Sequence, residues 1–246
     1  MNKNILLLLL LLITTITHAQ KDTTKLTIAK GYYTKALDSY KNKKYILAAE
    51  FCTKAIKLAP AEPQLRSAYS LRGKIKLQQF EDYYGAIIDF SYYLSMDKEP
   101  YIYILRSQAK VGLNNNRAAI ADLNIAIKLD STYGGAYYFR AECKLTLKDY
   151  EGALLDFNKY LKLEPTEEFV YYRRSVVKSA LNDHAGAIKD LTTAINIYPA
   201  GLYYYWRGIE TLLATETGKD QACLDFNKAK ALGYTKAYEA INEVCK

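Results

Sequence analysis

AYYFRAECKLTLKDYEGALLDFNKYLKLEP, residues 136 to 165, holds two segments of helical apolar spacing, joined at Lys148-Asp149 and stopped by Pro165. Moved along the chain by about 34 residues, it meets like residues nearly throughout, which marks an internal repeat. Small residues recur as Ala36, Gly73, Ser107, Ala141, Ser175 and Gly208. A second small series follows as Ala48, Ala86, Ala119, Ala153, Ala187 and Ala222. Two helices approach to about 8 Å only where side chains are small, so each pair of small positions marks the crossing point of an antiparallel helix hairpin. Turn residues such as Lys43-Lys44, Lys148-Asp149 and Asn182-Asp183 lie between them, and Pro60, Pro165 and Pro199 stop the second helix in three units. The third unit ends without proline at Asp130-Ser131.

An aromatic opens each first helix at Tyr32, Tyr69, Tyr103, Tyr137, Tyr171 and Tyr204, and the second helices carry GALLDF, GAIKDL and AAIADL. This pattern resembles the tetratricopeptide repeat (TPR) over about residues 28 to 232. The resemblance implies an all-α, right-handed superhelical solenoid of antiparallel helix hairpins, its concave surface lined by the first helices. Six units are expected, at about 28–62, 66–99, 100–133, 134–167, 168–200 and 201–232. The second has one extra residue in its Phe80-Glu81-Asp82-Tyr83 turn, and the sixth has two more around 215 to 219. Gly233 ends a helix, and residues 233–246 are expected to form a thirteenth, capping helix with a polar outer side.

The 246 residues are 50% hydrophobic and 24% charged, with 12 Gly and 5 Pro, a composition that excludes wholesale disorder. The formal charge of +8 is spread along the chain, as suits solubility. Residues 1–19 have the form of a secretory signal: Lys3, an apolar run from Ile5 to Ile13, then Thr17 and Ala19 before Gln20. Nine apolar residues fall short of the roughly twenty that span a bilayer, so no transmembrane segment is expected in the mature chain. The first cysteine is Cys52, which argues against a lipid-attached signal. The expectation is export to the periplasm or the exterior, with association with the outer membrane or an envelope complex, and a flexible lead-in at 20–27.

Arg72, Arg106, Arg140, Arg174 and Arg207 are each followed 16 to 18 residues later by Asp89, Asp122, Asp156, Asp190 or Asp225. In a hairpin each arginine faces an acid, in the same unit or across the joint, giving a structural ion-pair ladder. Lys76, Lys110, Lys144 and Lys178 lie one turn beyond four of the arginines and suggest an anion-binding row instead, which five matching acids oppose. By resemblance to other TPRs, Lys30, Tyr33, Ile104, Gln108, Tyr138, Glu142, Phe169, Tyr172, Tyr205 and Ile209 face the groove. The 24 tyrosines divide between packing and ligand contact, and a ladder of them suits an extended or helical peptide or the faces of sugar rings. TPR domains that clamp the tails of cytosolic chaperones use a Lys and an Asn four residues apart, where this chain has Tyr33 and Leu37, so that ligand is disfavoured.

The four cysteines show no metal-ligand spacing. Cys52 and Cys143 fall on core-facing positions, whereas an antiparallel turn at Gly233 brings Cys223 and Cys245 to one end, where they are expected to form a disulfide. The mature chain has one histidine, His184, in an interhelix turn where sibling units have Tyr45 and Tyr150, and it reads as packing. One histidine and scattered cysteines assemble no nucleophile, phosphate loop or zinc pair, so no catalytic residue, metal or cofactor is expected. Export and the lack of a concentrated basic run oppose nucleic acid as a partner. The expected function is a non-catalytic scaffold or adaptor that holds a protein or peptide segment, with glycan binding or a structural subunit role as alternatives.

Overall fold

The computed structural model describes residues 22–246 in full, and the export signal expected at 1–19 lies outside the described residues. The described residues contain thirteen α-helices and no strand. They divide into two units, residues 1–114 and 115–246. The first unit holds α1 (Lys3–Lys41), α2 (Tyr45–Leu58), α3 (Arg66–Gln79), α4 (Tyr83–Met96) and α5 (Pro100–Gly112). The second holds α6 (Asn116–Leu129), α7 (Gly134–Thr146), α8 (Tyr150–Leu163), α9 (Glu168–Ala180), α10 (His184–Ile197), α11 (Gly201–Ala214), α12 (Lys219–Ala231) and α13 (Ala237–Val244). Within each unit successive helices pack on one another. Residues 22–27, expected as a flexible lead-in, are instead helical within α1, and Leu26 packs beside Ala29, Ala59 and Leu65.

Two residues recur at the turns that lead into α2, α4, α6, α8 and α10. The first takes a left-handed conformation, at Lys43, Glu81, Asn114, Lys148 and Asn182, with φ between 52° and 62°. The next caps the following helix: Asp82, Asn115, Asp149 and Asp183 accept from the backbone N–H of Gly85, Ala118, Gly152 and Gly186 at 2.9–3.1 Å. Proline then acts as the stop, since α2, α8 and α10 end two residues before Pro60, Pro165 and Pro199.

All twelve small residues of the crossing points lie buried or nearly so. The crossing is filled from the second helix by Phe90, Phe157 or Phe226, each fully buried and each next to a ladder aspartate. A Cβ on Gly73 would stand 2.8 Å from Phe90, and one on Gly208 would stand 2.6 Å from Phe226, so the ring occupies the space a side chain would need.

Cys52 and Cys143 are buried thiols. Burial pushes them up to about 12 and about 11, from an ordinary value of 9.0. Their protons leave the unfolded chain first, so the stability they contribute is complete below pH 9 and is lost as pH rises through 11 to 12. The native chain should therefore resist alkylation at both positions at pH 8. Its urea stability near pH 11 should fall by about 2–5 kcal/mol more than that of the Cys52→Ala/Cys143→Ala variant. Equal alkaline loss in both proteins would show that the thiols are not the cause.

Candidate functional site

The arginine ladder is a repeated three-way clamp. Arg72, Arg140, Arg174 and Arg207 each donate Nε and Nη2 to both oxygens of Asp89, Asp156, Asp190 and Asp225, with Nε distances of 2.8–2.9 Å. The acid is thus the one in the same hairpin. The third arm crosses to the preceding second helix, where Nη1 meets Thr53, Asn124, Asn158 and Thr192 at 2.7–3.2 Å. Arg106 makes the corresponding bond to Ser91, and Asp122 is buried in the other unit. Each guanidinium also lies 5.4–5.8 Å from the ring of the tyrosine three residues before it, at Tyr69, Tyr103, Tyr137, Tyr171 and Tyr204.

Lys76, Lys144 and Lys178 place Nζ 2.8–3.0 Å from the same carboxylates. These lysines complete the ladder and are not a free anion-binding row. Bidentate geometry and near-complete burial of the acid make these four rungs structural elements, and in three of them a lysine adds a second cation.

His184 does more than pack. It opens α10, and its Nδ1 stands 2.9 Å from Oε2 of Glu210, a carboxylate only 4% exposed on α11.

The expected groove residues separate by unit. In the first, Lys30 is exposed, Tyr33 and Gln108 are half-buried, and Ile104 is 2% exposed. Ile104 is therefore a core residue and not a groove residue. Its branched apolar side chain has no polar tip to keep at the surface, unlike the tyrosines at the matching positions of later repeats.

In the second unit the first helices α7, α9 and α11 bring together an aromatic face. Tyr138 meets Phe169 edge-on at 5.4 Å while resting on buried Phe157 and Tyr160. Tyr172 lies 5.6 Å from Tyr203, and Tyr205 lies against Trp206, Phe226 and Tyr234. Ile209 packs with Tyr205 around Phe226. Glu142 is bound by both Nε and Nη2 of Arg173, and each partner keeps under a third of its side chain exposed. The Glu142 hydrogen bond raises Arg173, whereas burial raises Tyr138 and Tyr172 against the opposing pull of Arg173. The face is thus electrically neutral, with neutral phenols around a closed ion pair.

Arg173 and Trp206 escaped the sequence reading. They stand at equivalent repeat positions, next to a residue assigned to the groove and directly before a ladder arginine.

The tetratricopeptide-repeat family profile matches residues 134–167. No curated protein matches the chain in sequence. Among solved structures, the chain is similar to YrrB, described as a TPR protein with an unusual peptide-binding site, at 20% identity and a TM-score of 0.63. That match covers 76% of this chain and 94% of YrrB. PilF of Pseudomonas aeruginosa is similar at 14% identity and a TM-score of 0.70, covering 89% of this chain and 99% of that one. The C-terminal part of a TPR repeat-containing protein from Cytophaga hutchinsonii gives 16% identity and a TM-score of 0.71, covering 81% and 78%. Residues 134–167 are thus a tetratricopeptide repeat, set in an array of helix hairpins that shares the fold of solved TPR proteins.

Proposed function

We propose that the chain is a non-catalytic scaffold that holds a protein or peptide segment against the first-helix face of its second unit. The observation that carries this reading is the half-exposed row Tyr138, Phe169, Tyr172, Tyr205 and Trp206 around the Glu142–Arg173 pair. Large rings with few rotatable bonds offer contact area at low entropic cost, and a closed ion pair leaves no charge for a small ionic ligand to neutralise. YrrB, of similar fold, is described as having a peptide-binding site. The signal-like residues 1–19 support export with cleavage after Ala19, which would place the scaffold in the cell envelope or outside it.

The test is capture of envelope proteins on the processed chain, run beside Phe169→Ala/Tyr172→Ala after confirming that the variant is helical and melts cooperatively. A partner held by the parent and weakened about tenfold or more by the variant is the expected result. Identical capture by both proteins, or retention of purified glycan alone, would overturn the reading.

A further inference from the structure

The second helix of each hairpin turns one row of residues outward, at positions two before, two after and six after its buried crossing alanine. In α2 the row is Ile46, Glu50, Lys54, and in α6 it is Arg117, Ala121, Ile125. In α8 it is Glu151, Leu155, Lys159, in α10 Ala185, Lys189, Thr193, and in α12 Asp220, Leu224, Lys228. Each of these rows carries at least one charge. In α4 alone the row is Tyr84, Ile88, Tyr92, and the three residues are 72%, 56% and 54% exposed. The one charged residue of α4 is Asp89, which is buried in the ladder, so this helix presents no charge to solvent.

We infer that the α4 face is the contact surface for a second copy of this chain, paired about a two-fold axis at Ile88. Spacing of four residues makes Tyr84, Ile88 and Tyr92 a continuous ridge, and the row reads the same in both directions. When two such helices cross antiparallel, Ile88 of one copy meets Ile88 of the other and each Tyr84 lies beside Tyr92 across the axis. A contact made of one patch used twice requires that self-complementarity.

An open depression of about 350 Å³, formed by Ile87, Ile88, Ser91, Tyr92 and Ser95, adjoins the ridge where Tyr84 of the other copy would enter. An ionic partner would find nothing to pair with, and a membrane-surface helix would need the lysines or arginines that α4 lacks. Two uncharged faces meet without like-charge repulsion, whereas the same crossing on α2 or α10 would set Glu50 or Lys189 against its own copy. One helix face buries less than a standard interface, so the dimer is weak and reversible.

The test uses the chain produced with its own leader and purified as the processed protein. Sedimentation equilibrium should show a dimer with a dissociation constant on the order of 10–100 μM, and Ile88→Asp should weaken it by about 30-fold or more. A second pair of variants locates the axis. Ile88→Cys should form a disulfide-linked dimer under mild oxidation at least about tenfold faster than Leu155→Cys, whose side chain is 70% exposed at the equivalent place on α8. The native Cys52 and Cys143 are buried and supply no background. A chain that stays monomeric to about 0.5 mM overturns the inference, as does association that Ile88→Asp leaves unchanged or equal cross-linking of the two cysteine variants.

Discussion

Asp156→Ala should lower the unfolding free energy by about 3–5 kcal/mol, although the residue touches no ligand and lines no groove. Its carboxylate is 3% exposed and takes Arg140 Nε at 2.8 Å, Arg140 Nη2 on the other oxygen, and Lys144 Nζ at 2.8 Å. Alanine would leave two largely buried cations facing each other, with Arg140 still tied to Asn124 at 2.7 Å and unable to turn out to water without breaking that bond. For a chain of this size the loss corresponds to a melting point lower by roughly 6–20 °C. Arg140→Met should cost less, about 1–3 kcal/mol, because Asp156 retains Lys144. Combining Arg140→Met with Asp156→Leu should recover part of the loss, since an apolar pair leaves no charge unmatched. Thermal unfolding of the four proteins gives the answer, and a cost below about 1 kcal/mol for Asp156→Ala would show that the ladder contributes no stability.

The features legible in the sequence are those that perform the same task in every repeat. Small crossing residues, turn caps and the Arg–Asp interval recur at fixed spacing because the same two helices meet in the same way each time. The partner of the third arginine arm was not legible. It is Thr53, Ser91, Asn124, Asn158 or Thr192, a set united only by a polar oxygen. The lysines were ambiguous for a related reason. A cation one turn beyond an arginine can extend an anion row or share the arginine's acid, and the carboxylate's two oxygens accommodate the second arrangement.

Single departures from the repeat were harder to interpret, yet they hold most of the individuality of the chain. Glu210 occupies the position that Ile75, Ala109, Cys143 and Val177 hold in sibling helices. A lone acid at an apolar position calls for a hydrogen-bonding partner, and the residue that supplies it is His184, at the start of α10. Tyr84, Ile88 and Tyr92 depart in the opposite sense, forming an uncharged row where every sibling row carries at least one charge. Resemblance to other TPRs assigned Ile104 to the groove, at the place that Tyr138 and Tyr172 hold in later repeats. The difference between a phenol and a branched hydrocarbon decides which of them keeps contact with water.

Breaking the link between Cys223 and Cys245 should lower the local stability of the α12–α13 end by about 3 kcal/mol and release it before the rest. The two sulfurs are at disulfide distance, the Cα atoms are 5.7 Å apart, and the link closes a separation of 22 residues between α12 and the chain end. The eight residues of α13 are too few to form a stable helix alone. They hold to the array through Ala240, Ile241 and Val244, which pack with Tyr205, Ile209, Leu212, Ala222 and Phe226. Lys219 Nζ adds a bond to the carbonyl of Lys246 at 3.1 Å. In a repeat array each hairpin contacts only its neighbours, so a terminal helix has one supporting face and opens first. Cys245→Ser should therefore speed hydrogen exchange in α13 and in the adjoining part of α12, while α7 to α10 keep their protection. Exchange that rises equally throughout the second unit would mean that α13 unfolds only with the whole unit, and that the cross-link acts on global stability in place of a local closure.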